Sequence, residues 1–122
     1  MAVLGSMLLD EEAISVAFET LERESFYKDH HKKIFDAITE LFNANKPVDL
    51  ITLTNELKRK ELIDEVGGAS YLAALANAVP TAANISHYVS IVREKSILRH
   101  LISSGTRIVT MCYEHDGNVN VS

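Results

Sequence analysis

The chain has 122 residues, of which 47% are hydrophobic and 24% are charged, and these totals describe one globular domain with a single core. The formal net charge of -5 argues against this domain being the main groove for nucleic acid. Because Cys112 is the only cysteine, an internal disulfide is excluded and a reducing compartment is expected.

The first third of the chain predicts three helices. Apolar spacing indicates a short helix over residues 2–9 and a second helix over residues 11 to about 21. The linker that follows carries Phe26 and Tyr27, and both rings are expected to pack on the core. Asp29 is in a position to cap the third helix. The apolar stripe of that helix is the most regular in the chain and consists of Ile34, Phe35, Ile38, Leu41 and Phe42.

Two more short helices are predicted before the last element. Asp49 or Thr52 begins the fourth helix, which reaches about Lys60. The pair Gly67-Gly68 breaks the chain, and the fifth helix that follows it ends at Pro80. Since the only β-prone run has no partner, the predicted fold is all-α, a compact bundle of five short helices plus a long C-terminal helix.

The last helix organises the rest of the chain. It begins at Asn84, its N-cap, and runs to about Tyr113 without a proline and with a single glycine. At 1.5 Å per residue such a helix is roughly 43 Å long. A compact domain of this size is only about 35 Å across. The helix is therefore expected to protrude from its own domain.

Two apolar faces are predicted on the long helix. The first, expected to dock on the five short helices, consists of Ile85, Tyr88, Val89 and Val92. The second, called the seam below, lies roughly a quarter turn away and consists of Leu98, Leu101, Gly105, Ile108 and Cys112. Ile102 and Val109 lie beside it. We expect the seam to pack against a helix of another subunit, with Gly105 allowing close approach. The alternative is a helix that breaks near Ser103 and folds back on its own domain.

The patterns at both ends of the sequence are those expected for a piece of a longer protein. The chain enters an apolar helical pattern directly after Met1, and a new element is expected to begin within residues 118–122. No apolar run reaches the length of a membrane span and no signal peptide is recognisable, so the predicted location is cytoplasmic, without a membrane partner.

Residues capable of chemistry do not form a recognisable site. His30 and His31 point about 100° apart on a helix and cannot chelate one ion together. Cys112 and His115 are fewer ligands than a structural zinc needs. We therefore expect surface histidines, one packed thiol and no metal site. No glycine-rich loop ends in Lys-Ser or Lys-Thr and no catalytic set is apparent, so no catalytic or cofactor-binding residue is assigned.

Charge and aromatic positions suggest contacts rather than catalysis. Basic clusters alternate with acidic patches, which is typical of solvated surface, with a weak phosphate contact as the alternative. Tyr71 falls one position off the inward stripe of the fifth helix and is expected at the rim of the core. Such a tyrosine is either an interface anchor or a cap on the core edge.

Segments along nearly the whole chain resemble one known family in order and spacing. They are residues 2–10, 26–27, 30–35, 47–53, 67–72, 80–85 and 88–95. The family is that of the N-terminal domain of DnaB-type replicative DNA helicases, which act in DNA replication within the primosome. The resemblance implies a helical head, residues 1–83, followed by the long helix and a truncated helical hairpin, residues 84–122.

The resemblance also implies partners. Hairpins of neighbouring subunits pair in this family and six domains form a collar, so other copies of the chain are implied partners. Primase docks on the collar through its helicase-binding domain, and whether a helicase loader binds as well is left open. The family positions implicated in the interaction with primase match Tyr71, Ile102 and Ile108. The second hairpin helix would begin at or after Val119.

The motor of the family is a separate C-terminal domain that binds ATP and Mg²⁺ through a P-loop. That domain is absent here, so the chain is not expected to be an enzyme by itself, although the parent protein would be an ATP-dependent DNA helicase. The rival interpretation is a helix-turn-helix DNA binder built on the third to fifth helices. It requires a basic recognition helix, whereas the fifth helix carries no lysine or arginine, so tight binding of nucleic acid is not expected.

Overall fold

The computed structural model describes residues 1–115, which form six α-helices and one short 3-10 helix, without a strand in that range. The elements are α1 (Ala2–Leu9), α2 (Glu11–Thr20), the 3-10 helix (Arg23–Ser25), α3 (Asp29–Asn43), α4 (Leu50–Arg59), α5 (Gly68–Ala76) and α6 (Ile85–Glu114). The predicted all-α fold with five short helices and one long helix is confirmed. The return helix expected at or after Val119 lies outside the described residues.

Side-chain caps fix two of the helix starts. Asp10 accepts a hydrogen bond from the backbone of Glu12 at 3.0 Å and so begins α2. At the start of α4 the backbone of Thr52 donates to the Asp49 carboxylate at 2.9 Å, and Thr52 Oγ1 accepts from the Asp49 backbone at 3.0 Å. The expected cap at Asp29 is wrong, because Lys28 is the N-cap of α3 and Asp29 lies in its first turn.

The core is built from the inward faces of α1 to α5. Its fully buried side chains include Leu4, Met7, Ile14, Ile34, Ile38, Leu53, Leu57 and Leu72. Phe26 joins them with 1% of its surface exposed, and its ring centroid lies 5.0 Å from that of Phe35. Tyr27, in contrast, is 73% exposed, so the prediction that both rings pack on the core is wrong for Tyr27.

Close packing of α1 on α5 depends on a glycine. A Cβ atom added to Gly5 would lie 2.3 Å from the carbonyl oxygen of Leu75, a distance that forces the backbone to move. Gly5 is fully enclosed, like its neighbours Leu4 and Ser6. Only a residue without a side chain lets the two helices approach this far.

The helix α6 is unbroken over 30 residues and divides into two regions. In its first part, Ile85 and Val89 are buried, and Tyr88 and Val92 pack against the core. Beyond Ser96 the large apolar side chains are exposed. The predicted protrusion is therefore confirmed, and the alternative of a helix broken near Ser103 is wrong. We call α1 to α5 with the first part of α6 the head, and residues 97–114 the arm.

Candidate interaction surfaces

The seam lies entirely on the arm and has no cover within the described chain. Leu98 is 52% exposed, and Leu101 and Ile108 are each 61% exposed. Gly105 has no heavy atom within 4 Å of the position that a Cβ would occupy. Cys112 is also exposed, so the expected packed thiol is not packed in the single chain. Apolar surface of this extent marks an interaction site in soluble proteins.

The seam points away from the head. Counted at about 100° per residue, its mean direction lies close to half a turn from the docked face of α6. The quarter turn estimated from the sequence is therefore too small. This direction explains the exposure of the seam, because the side of α6 that meets the head is taken up by Tyr88, Val89 and Val92.

Apolar side chains on the arm extend beyond the seam on both sides. Ile97 and Met111 flank one side, and Ile102 and Val109 flank the other, with exposures between 48% and 69%. Together with the seam they cover about 180° of the helix circumference. A helix that packs on a single surface has an apolar stripe only slightly wider than about 100°. The arm therefore has more apolar surface than one neighbouring helix can cover.

The positions matched to primase sensitivity lie in three different settings. Ile108 belongs to the seam. Ile102 lies about 120° from Ile108 around the helix. Ile102 lies on the same side of α6 as Arg99, three residues before it, which reaches back to the head. Tyr71 lies on the head in α5, partly buried against the core. A single chain does not gather these three residues into one site.

Tyr71 is held by histidines and by a glycine. Its hydroxyl oxygen lies 2.6 Å from Nε2 of His31, a hydrogen bond whose direction depends on the tautomer. The ring of His30 meets the tyrosine edge-on at a centroid distance of 5.2 Å. A Cβ on Gly67 would lie 2.9 Å from Cβ of Tyr71, and Gly67 has a left-handed φ of +104°. Burial raises the pKa of the Tyr71 hydroxyl.

His31 is the residue of this group that the sequence analysis missed. It is buried rather than on the surface, and it follows the stripe of α3 at the helical spacing of Ile34, Phe35 and Ile38. That spacing was the signal that could have found it. Burial, together with the nearby positive charges of His30, the N-terminus and Lys28, lowers the pKa of His31 to about 4. His31 is thus neutral at pH ~7.

An open groove of about 390 Å³ separates the Tyr71 side of the head from α6. Val92, Lys95 and Arg99 of α6 line one wall, and Tyr27, Lys28 and Tyr71 are among the residues of the other. Arg99 bridges the walls, because its Nη2 donates to the carbonyl oxygen of Ser25 at 3.0 Å. Its guanidinium also lies 5.3 Å from the centroid of the Tyr27 ring, a cation–π distance.

Residues 1–115 contain neither a metal site nor a membrane span. No group of three or more His, Cys, Asp or Glu residues in that range could hold a metal ion. None of the described helices is long and apolar enough to cross a membrane. The seam, with its exposed apolar side chains, and the groove both suit contacts with protein.

Comparison with known proteins gives consistent matches over this architecture. A family model described as "DnaB-like helicase N terminal domain" matches residues 1–94. The replicative DNA helicase DnaC of Bacillus subtilis (strain 168) is 48% identical over 118 residues, or 97% of this chain. The replicative DNA helicase DnaB of Mycobacterium leprae (strain TN) is 44% identical over 112 residues, or 92% of this chain. The chain spans 26% of the first relative and 18% of the second.

A solved structure agrees with the fold. The crystal structure of the N-terminal domain of DnaB helicase from Mycobacterium tuberculosis is 42% identical in sequence and superposes with a TM-score of 0.92. The match covers 98% of this chain and 83% of that one. The head and the long helix are therefore shared features of the two proteins.

Proposed function

The chain belongs to the family of DnaB-like helicase N-terminal domains, and on that basis we propose that it is an oligomerisation and primase-binding domain of a replicative DNA helicase. Residues 1–83 would form the helical part that precedes the long helix, and residues 84–122 would contribute the long helix and the start of a hairpin. The observation that carries the proposal is the exposed seam, Leu98, Leu101, Gly105, Ile108 and Cys112.

Self-association would cover the apolar side chains of the arm. Exposed Leu and Ile at coiled-coil spacing gain free energy when another helix removes them from water, at about 25 cal/mol per Å². Because the apolar arc is about 180° wide, two neighbouring helices would share it. One would be the return helix of the same chain, and the other would come from a second copy. Such pairs would be the dimers from which a hexameric collar is built.

The test of this pairing is the mass of the chain in solution. Sedimentation equilibrium on the 122-residue chain is expected to show a concentration-dependent dimer. The double variant Leu101→Asp, Ile108→Asp should sediment as a monomer, because two buried carboxylates without partners oppose association. The matched control is Ser103→Asp, Thr110→Asp, which adds the same charge on the polar side of the arm.

If the wild type and the seam variant have the same mass at every concentration, the seam is not the pairing surface. If the control variant dissociates as fully as the seam variant, added charge rather than loss of the seam is responsible. Either result would remove the support that the exposed seam gives to the proposed oligomerisation.

Primase binding is proposed for the side of the molecule that carries Tyr71 and Ile102. Ile108 lies within the seam, so a paired arm would cover it, and we expect it to affect primase only through the pairing. Tyr71 presents an apolar ring with a polar tip, which suits an interface anchor. Ile102 is 69% exposed and can be replaced without disturbing the core.

Calorimetry with the helicase-binding domain of primase tests this assignment. Ile102→Ala and Tyr71→Ala are each expected to weaken binding by about tenfold, as truncation of an interface anchor typically does. Tyr71→Phe separates the ring from the hydroxyl that contacts His31. Thr110→Ala, on the polar side of the arm, is the control. Unchanged affinity for both Ile102→Ala and Tyr71→Ala would remove these residues from the interface.

The activity of the whole protein is proposed from its relatives, which are named replicative DNA helicases. The parent protein would hydrolyse ATP with Mg²⁺ in a C-terminal motor domain, and no residue of this chain is assigned to that reaction. The proposed location is the cytoplasm, which suits a chain whose single cysteine is free and exposed. A helicase loader is a further candidate partner of the collar.

A further inference from the structure

The groove between Tyr71 and α6 differs in charge from the chain as a whole. The chain carries a formal net charge of -5. The residues that line the groove nevertheless include Lys28, Lys95 and Arg99, and no described Asp or Glu is among them. A cavity lined by charges of one sign concentrates the potential of those charges. This groove is therefore a positive site on a negative domain.

The two lysines of the groove are available to a ligand. Within residues 1–115, neither Lys28 nor Lys95 takes part in an ion pair, whereas Lys32 and Lys33 on the adjoining α3 pair with Glu24 and Glu65. Burial is the main reason for the lowered pKa of His31, and the positive charge of Lys28 is one of its smaller causes. A carboxylate that entered the groove would meet lysines without having to displace an internal partner.

Aromatic rings supply the apolar part of the groove. Tyr27 is 73% exposed although it follows the buried Phe26, and Tyr71 is partly buried. Arg99 holds the Tyr27 side in place through its hydrogen bond to Ser25 and its position over the ring. An aromatic surface between cations suits a chain segment that alternates acidic and apolar side chains.

We infer that this groove binds a short acidic segment of a partner protein, with carboxylates at Lys28 and Lys95 and an apolar side chain between Tyr27 and Tyr71. The inference deepens the proposed function, since it states the chemistry of the primase segment that would lie beside Tyr71. Ile102 is one turn beyond Arg99 on the same side of α6. The lysines give the encounter its charge selectivity and the rings give it contact area.

A peptide fits the groove better than a nucleic acid does. The next groove along α6 shares Ser25 and Arg99 with this one but is also lined by Glu22 and Glu24. The positive strip is therefore short and ends at carboxylates. A strand of phosphates has a charge at every step and would extend from the lysines onto those glutamates.

Fluorescence anisotropy of the 122-residue chain provides the test. The probes are a labelled short peptide of Glu and Asp with interspersed Leu and Phe, the same peptide with Gln and Asn in place of the acids, and oligo(dT). The acidic peptide is expected to bind, less tightly as salt is raised, and the amide peptide about tenfold more weakly. The variant Lys28→Glu, Lys95→Glu should weaken acidic-peptide binding by at least about tenfold.

The matched control is Lys46→Glu, Lys58→Glu, which makes the same change of charge at exposed positions of the head outside the groove. Equal binding of the acidic and amide peptides, or equal loss in both double variants, overturns the inference. Tighter binding of oligo(dT) than of the acidic peptide, lost in the variant Lys28→Glu, Lys95→Glu, would also overturn the inference. The groove would then be a nucleic-acid site.

The helicase-binding domain of primase separates failure of this inference from failure of the proposed function. Primase that binds the wild type and the groove variant equally overturns the inference and leaves primase binding in place. Primase that binds neither, while the acidic peptide distinguishes the two, supports the inference and rejects primase as the partner.

Discussion

The head and the arm have similar apolar residues on one continuous helix but opposite environments. Ile85 and Val89, in the first part of α6, are 8% and 5% exposed, whereas Leu98 and Leu101, in the arm, are 52% and 61% exposed. In the head, α1 and α2 provide the covering surface. Nothing in the described chain does so for the arm. Apolar spacing therefore shows that a helix has a face to bury, and the tertiary neighbours decide whether that face is buried within the same chain.

The largest difference between the two regions is expected for loss of a large apolar side chain. Ile38→Ala removes a fully buried side chain from α3 and should lower the free energy of unfolding by about 2–5 kcal/mol. Leu101→Ala should change it by less than about 0.5 kcal/mol when the chain is monomeric. Urea unfolding at low and high protein concentration measures both. A cost for Leu101→Ala at low concentration close to that for Ile38→Ala would contradict the division into head and arm.

Replacement of Gly5 in the head and of Gly105 in the arm tests the same comparison with a smaller expected effect. Gly5→Ala should destabilise the head by about 1–3 kcal/mol, because the new Cβ would lie 2.3 Å from the carbonyl oxygen of Leu75. Gly105→Ala meets no atom within 4 Å and should stabilise the monomer by about 0.5–1 kcal/mol through helix propensity.

The same Gly105→Ala variant should weaken self-association if the paired helices approach closely at Gly105. Thermal unfolding and sedimentation equilibrium are measured on the same samples. A variant that is both more stable and more strongly dimeric would show that the seam does not need a glycine. A stable Gly5→Ala variant would contradict the tight contact of α1 with α5.

A further difference is a dependence of head stability on pH. The pKa of His31 is about 4 in the folded chain, against 6.5 for an unperturbed histidine, so the unfolded chain binds the proton first as pH falls. The contribution of neutral His31 is therefore complete above pH 6.5 and is lost as pH falls towards 4. The slope is at most about 1.4 kcal/mol per pH unit. His31→Gln, which does not titrate, should reduce this slope in urea unfolding.

The matched control is His100→Gln, at an exposed position of the arm. If His31→Gln and the wild type lose stability in parallel between pH 6.5 and 4, the titration of His31 is not responsible. In that case the loss has to come from carboxylates elsewhere in the head.

Much of the fold follows from local sequence. The stripe of α3 predicted its buried face, including Ile34 and Ile38. The start of α4 was expected at Asp49 or Thr52, and in the structure Asp49 is the N-cap and forms a capping box with Thr52. The length of α6 followed from the lack of a proline, and the weak helix formers at residues 103–106 did not break it. These features depend on neighbours a few residues apart, which a sequence displays directly.

The groove could not be predicted in the same way. Tyr27 was expected in the core because it adjoins Phe26, but its ring lies under Arg99, 72 residues later in the chain. The bond between Tyr71 and His31 joins residues 40 positions apart. Lys28 and Lys95 come from different elements and become one positive site only when α6 docks on the head. Pairings over such separations depend on the packing of helices, which local patterns do not specify.

The bridge from Arg99 to Ser25 and Tyr27 gives the protruding helix the properties of a lever. From Arg99 to Tyr113 the helix extends about 21 Å without further support, so a tilt of about 10° at this fulcrum moves the far end by roughly 4 Å. A small displacement of Arg99 by a ligand would thereby produce a larger displacement at the end of the arm, where two subunits would meet. The orientation of each subunit in the proposed assembly would in this way be mechanically linked to occupancy of the groove at its base.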